Sequence, residues 1–101
     1  MIFMFVGIDL VYIPEFIARL DTPGVLEKIF TPSELEQCTS LESRAGVFAA
    51  KEALMKAVGR KLAWLDIWTE QESSGKPTLA SSALTPGSRV AVSISHSGEY
   101  A

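Results

Sequence analysis

The 101 residues contain one cysteine, Cys38, and one histidine, His96. A lone thiol excludes an intramolecular disulfide and any cysteine-based zinc site, and it fits a reducing compartment. No Cys/His cluster has zinc spacing, and neither G-x-G-x-x-G nor a Walker-type G-K-[ST] occurs. Ser95-His96 is only a dipeptide, and adjacency does not make a nucleophile–base pair. The apolar start, M-I-F-M-F-V-G-I-D-L, lacks the basic flank of a signal peptide. Asp9 interrupts it well short of the roughly 20 residues that a membrane span needs. A buried first strand explains this stretch better, and a cytoplasmic protein without a membrane partner is expected. Excess positive charge is also lacking: the formal net charge is -3, which argues against nonspecific nucleic-acid binding. With no internal repeat, low-complexity tract or linker, residues 1–101 read as a single small domain.

What is abundant is apolar material. Hydrophobic residues make up 48% of the chain, with a mean hydropathy of +0.23. That exceeds what a small monomer readily buries and points to association. Residues 2–10 read as a strand. A short helix follows Pro14 with Phe16, Ile17 and Leu20 on its apolar face. After the turn at Asp21-Thr22-Pro23-Gly24, residues Val25, Leu26, Ile29 and Phe30 give another helical turn or two. Thr31-Pro32-Ser33-Glu34 is a capping box, with Thr31 as cap, Pro32 at N1 and Glu34 at N3. The longest helix is expected from about Leu41 to Val58, closed by Gly59. Beyond it the pattern is β: Leu65 to Glu72, a turn at Ser73-Ser74-Gly75-Lys76-Pro77, a short strand at Thr78–Ala80, and a strictly alternating run from Arg89 to His96.

The long helix carries the first chemical signal. Residues 44–57 read R-A-G-V-F-A-A-K-E-A-L-M-K-A, with a single acid, Glu52, among apolar neighbours. Leu41, Ala45, Phe48, Glu52 and Met55 recur at helical spacing, so Glu52 falls within the inward stripe. Ala49, Ala50, Ala53 and Ala57 keep other faces thin enough for close approach. From Arg44 to Lys61 there are five basic residues (Arg44, Lys51, Lys56, Arg60, Lys61) against Glu52 alone. A basic segment in an acidic chain suggests an anion site.

Asp9, directly after V-G-I, is a second acid in an apolar setting. It reads either as a turn or cap aspartate or as a buried carboxylate needing a cation. Magnesium uses one or two carboxylates together with water and substrate phosphates, and Asp9 with Glu52 would supply that pair. Equally, Glu52 could bridge to Lys56 at i,i+4, a contact worth roughly 0.2–0.5 kcal/mol. His96 reads as a satisfied strand-end histidine or a phosphate contact, and Gly75-Lys76-Pro77 as a plain turn or a ligand edge.

The order of the segments decides among these readings. G-I-D-L, I-F-T-P-S-E-L, F-A-A-K-E-A-L-M-K-A, D-I-W with G-K-P, and S-I-S-H-S-G-E-Y-A follow one another along essentially the whole chain. Together they resemble the holo-acyl-carrier-protein synthases, the short single-domain 4′-phosphopantetheinyl transferases. The K-E-A-x-x-K segment, downstream of G-I-D, is the most specific element.

The resemblance implies an enzyme that moves phosphopantetheine from coenzyme A to a serine of an acyl carrier protein, releasing adenosine 3′,5′-bisphosphate. It implies Mg²⁺ as cofactor, with Asp9 and Glu52 as ligands. Glu52 and Lys56 would be catalytic, and Lys56 would contact the pyrophosphate. Lys51 would help to anchor phosphate, Gly75, Lys76 and Pro77 would border the adenine, and Ser95 and His96 would meet the nucleotide phosphates. The serine proton would go to Glu52 or to a metal-bound water. An α+β fold is implied, with one long central helix packed on an antiparallel sheet. The implied assembly is a homotrimer with active sites between subunits, acting in the cytoplasm. A coenzyme A-binding module of the same fold without transfer activity, or a purely structural interaction domain, are the rival readings. Two departures from the family pattern stand out. Glu15 occupies a place where many members have a basic residue for carrier docking, leaving Arg19, Arg44 or Arg60-Lys61 for that role. Members also continue past E-Y-A with a further strand.

Overall fold

The computed structural model describes residues 4–101. Four helices come first: α1 (Ile13–Leu20), α2 (Val25–Ile29), α3 (Pro32–Gln37) and α4 (Leu41–Val58). A 3-10 turn at Trp64–Asp66 leads into β1 (Ile67–Gln71), which pairs antiparallel with β2 (Pro77–Ser81). The result is an α+β fold in which the long helix packs on a small antiparallel sheet.

Local chemistry fixes the helix ends. α1 has Pro14 in its first turn, with Glu15 near the N-terminus and Arg19 in the last turn, both suited to the helix dipole. Both halves of the capping box of α3 form: Thr31 Oγ1 accepts from Glu34 N at 3.1 Å, and Glu34 Oε1 accepts from Thr31 N at 2.9 Å. α4 starts at Ser40, whose Oγ accepts from Ser43 N. It ends where Gly59 takes a left-handed conformation (φ 77°) and donates to the Met55 carbonyl. The bounds of this helix are those expected from the sequence.

The core has two parts along α4. Phe16, Phe30 and Phe48 fill the space between α1, α2 and the first half of the helix, with Phe48 stacked on Trp64 at 5.0 Å. Ala50, Leu54, Met55, Ile67 and Leu79 join its second half to the sheet, flanked by Val90, Val92 and Ile94. Every residue from Ala45 to Lys51 is buried. The expected single inward stripe is therefore too narrow, because the centre of α4 is enclosed on every side.

Two expected strands do not form ladders. Residues 2 and 3 of the 2–10 strand lie outside the described residues, and residues 4–10 carry no strand pairing. Met4, Phe5, Val6, Ile8 and Leu10 are exposed, while Gly7, Asp9 and Val11 turn inward. The buried strand expected here is thus not observed: burial alternates only from Val6 onward, and the segment lies against α4 instead of beside another strand. A Cβ on Gly7 would fall on the Ala53 carbonyl oxygen and 2.8 Å from Ala57 N. The thin alanine face thus receives backbone directly. Residues 89–96 likewise alternate in burial without a ladder, with Ile94 lying over Gly46. Ladder-type bonds appear where Val11 and Ala101 exchange hydrogen bonds of 2.8 and 3.0 Å.

Candidate active site

The inward parity of residues 7, 9 and 11 aims Asp9 at the last turns of α4. There Lys56 Nζ donates to Asp9 Oδ1 at 2.7 Å and to the Ile8 carbonyl at 3.2 Å. The Asp9 carboxylate is 12% exposed and its lysine partner 56%. The hydrogen bond to Asp9, with its charge and that of Glu52 adding, raises the Lys56 ammonium above the ordinary lysine value. Lys56 is thus a firmly protonated cation at neutral pH.

Glu52 lies one turn back on the same helix, half-buried. Among the described residues the Glu52–Lys56 salt bridge weighed from the sequence does not form, since Lys56 reaches Asp9 instead. Glu52 stands between two open clefts. One, of about 600 Å³, is lined by Asp9, Glu52, Glu15, Tyr12 and Arg19. The other, of about 870 Å³, runs along the end of α4 over Met55 and Trp64, with Lys28, Lys56, Arg60 and Lys61 on its rim. Arg19 and Phe48 line both clefts, and the Arg19 guanidinium sits 5.7 Å from the centre of the Phe48 ring. Of the basic stretch read from the sequence, Lys56, Arg60 and Lys61 line the larger cleft, joined by Arg19 and Lys28 from earlier in the chain.

Other expected site residues sit elsewhere. Lys51 is fully buried, with Nζ bonded to the Ile29 carbonyl (2.6 Å), Glu34 Oε1 (2.7 Å) and the Trp64 carbonyl (3.2 Å). With three donors and three acceptors, none is left for a phosphate, so the anchoring role expected of it does not fit. Arg44 donates to the Cys38 carbonyl at 2.8 Å and to the Leu35 carbonyl at 3.5 Å, at the end of α3, and lines neither cleft. Gly75, Lys76 and Pro77 form the β1–β2 turn, where Glu72 N donates to the Lys76 carbonyl. Ser95 and His96 are exposed. None of these five lines either cleft beside Glu52.

Sequence reading missed the second role of Glu34. Beyond its cap, its Oε2 accepts from Thr69 N at 2.8 Å and Thr69 Oγ1 at 3.0 Å, and the residue is 1% exposed. Burial pushes its carboxyl up. The bonds from Lys51, Thr31 and Thr69 outweigh that and hold it below the ordinary glutamate value. A capping glutamate reads as surface, and nothing local to I-F-T-P-S-E-L signals the buried lysine.

A family model of the 4′-phosphopantetheinyl transferase superfamily matches residues 5–101. The chain belongs to this superfamily. It is 38% identical to the holo-[acyl-carrier-protein] synthase of Chlorobaculum parvum, covering 92% of this chain and 88% of that one. It is 39% identical to the same enzyme of Geobacillus kaustophilus, covering 95% and 81%. Among solved structures, the Chronobacterium ammoniagenes synthase–coenzyme A complex superposes with a TM-score of 0.83 at 30% identity, covering 98% of this chain and 92% of that one. The Bacillus anthracis synthase, in complex with CoA (3′,5′-ADP), gives 0.80 at 34% identity, covering 95% and 88%. Phosphopantetheinyl transferases of this kind match over nearly the whole chain, so the clefts beside Glu52 lie within the shared fold.

Three carboxylates, Asp9, Glu15 and Glu52, line the smaller cleft, and Asp9 with Glu52 is the pair expected from the sequence. Among the described residues no group of three or more acids, histidines or cysteines could hold a metal ion. An oxygen-only pair suits Mg²⁺, which keeps waters and takes substrate phosphates, and does not suit zinc. No helix among the described residues is long and apolar enough to cross a membrane.

Proposed function

We propose that this chain transfers the 4′-phosphopantetheine group of coenzyme A to a serine of an apo-acyl carrier protein. The products are holo-acyl carrier protein and adenosine 3′,5′-bisphosphate. The observation that carries this reading is the convergence of Asp9, Glu52 and Lys56 on adjoining clefts rimmed by four further cations, in a chain of this superfamily.

In this reading the serine oxygen bonds to the phosphorus that bears the pantetheine arm. The bond from that phosphorus to the bridging pyrophosphate oxygen breaks, and the electron pair leaves with the nucleotide. Lys56 holds a positive point charge beside the leaving oxygens, where negative charge grows. Asp9 fixes the Lys56 head and would hold Mg²⁺ together with Glu52. Bound there, the ion supplies neutralisation of the pyrophosphate charge. Glu52, which makes no salt bridge among the described residues, would also receive the serine proton. Arg19, Lys28, Arg60 and Lys61 present the charge that an acidic carrier or the nucleotide phosphates require.

A homotrimer with active sites between subunits belongs to the same proposal. The exposed apolar residues from Met4 to Leu10 support it, since they need cover, and so do Ser95 and His96, which stand exposed and away from the clefts of their own chain. A cytoplasmic setting, where coenzyme A and a free Cys38 thiol both persist, completes it.

Purified protein with Mg²⁺, coenzyme A and apo carrier should add a phosphopantetheine mass to the carrier. Asp9→Ala and Glu52→Ala should each abolish the transfer with the fold retained. Coenzyme A binding without any mass shift across several bacterial carriers would instead make the chain a binding module.

A further inference from the structure

Lys51 precedes Glu52 in the chain, yet it points to the other side of α4, into the core. Its three acceptors come from three separate places: the end of α2 at Ile29, α3 at Glu34, and the 3-10 turn at Trp64. Ile29 and Trp64 also line the larger cleft, together with Glu52 and Lys56. One ammonium group therefore joins the floor of the cleft, α4, to two of its walls. Glu34 extends the tie to β1 through both polar groups of Thr69, and to its own cap at Thr31. No buried side-chain polar atom in the described chain lacks a partner, so the network is fully satisfied and resists any rotation of the helix.

Stability alone does not call for such a network. A well-packed apolar replacement of a buried ion pair is often neutral or stabilising. What apolar packing does not supply is a directional fix on the phase of α4 at the residue next to Glu52. We infer that Lys51 is a positioning residue for phosphopantetheine transfer. Through Ile29, Glu34 and Trp64 it sets the rotation of α4, and so the placement of Glu52 and Lys56 against the pyrophosphate. This rests on the transfer reading above.

The test compares the wild-type enzyme with Lys51→Met/Glu34→Gln, which removes the ion pair, leaves no bare buried charge and keeps an oxygen acceptor for Thr69. Near-attack geometry is steep, and a displacement on the scale of 1 Å costs about 100-fold in rate. The expected result is a kcat lowered by about 10- to 100-fold per folded molecule, well below the melting temperature. KM for coenzyme A should hold within about threefold, because the lost interaction is one realised at the reacting centre. A role confined to stability would lower the melting temperature and leave kcat per folded molecule unchanged, and that result overturns the inference. If the double variant does not fold, Thr69→Val decides. It removes only the hydroxyl that steadies Glu34, lies outside both clefts, and should lower kcat in the same direction by a smaller factor. An unchanged kcat there also overturns the inference. Transfer by the wild-type enzyme is the control, and its absence would instead sink the transfer reading itself.

Discussion

Replacing Gly7 by alanine tests how Asp9 is held. The new methyl would fall on the Ala53 carbonyl oxygen, 2.8 Å from Ala57 N and 2.9 Å from the Ala53 carbonyl carbon. All three are backbone atoms of a helix buried through its centre, so α4 will not yield, and the 4–10 segment must lift away from it. Overpacking costs about 1–3 kcal/mol, and with rigid backbone opposite, about 3 kcal/mol is expected. At about 4–8 °C per kcal/mol for a domain this size, the melting temperature should fall by roughly 12–24 °C. Asp9, two residues on, would move with the segment, so transfer at a temperature where the protein stays folded should fall by about 100-fold. Gly46→Ala is the contrast. Its methyl meets only Ile94 Cγ2, at 2.6 Å, the end of a side chain that can turn aside. Alanine also gains about 1 kcal/mol over glycine within a helix, so this variant should melt near the wild type. Circular dichroism melts with a coenzyme A-dependent carrier modification assay measure both. A Gly7→Ala protein that melts within a few degrees of wild type and keeps its activity would refute the close approach of the first segment to α4.

Lys56→Ala should lower kcat by about 10²–10³-fold, the usual effect of losing one preorganised charge at the reacting group. The melting temperature should barely move, because the ammonium is more than half exposed; a kcat within a few-fold of wild type would remove Lys56 from the mechanism. Glu34 gives the protein an acid dependence of definite sign. Its carboxyl is held below its ordinary value of 4.5. Its contribution is therefore complete above that pH and is lost as pH falls from there through the lower folded-state value. Urea midpoints should show the gap between wild type and Glu34→Gln narrowing once pH drops below about 4.5, and a gap that stays constant or widens would count against the buried pair.

Where the sequence encodes structure locally, it could be read directly. The Thr31–Glu34 capping box, the stop at Gly59 and the full span of α4 are set by contacts within one or two turns, and all appear as expected. Residues 4–10 and 89–96 show the limit. The alternation expected for 89–96 appears in its burial without a ladder, and the buried strand expected at the start leaves five apolar side chains exposed, because an apolar pattern does not say what the backbone pairs with. Lys51 shows another limit. From sequence it is one more cation in a basic helix, and only the acceptors brought by Ile29, Glu34 and Trp64 make it a core residue. The pairing of Asp9 with Lys56 could not be read from the sequence, because no local rule connects positions that far apart. The helical Glu52–Lys56 bridge weighed from the sequence is not made among the described residues, because Lys56 takes a partner from outside the helix.

The Lys56–Asp9 contact joins residues 47 positions apart, and Lys56 to Ile8 spans 48. The helices and the β1–β2 hairpin close over much shorter loops and can form early. The first segment gains its contacts only after a long loop has closed against a finished α4, which makes it slow. Refolding should therefore restore helical signal before the site is assembled, and a chain that has recovered its helices would still be without a working Asp9.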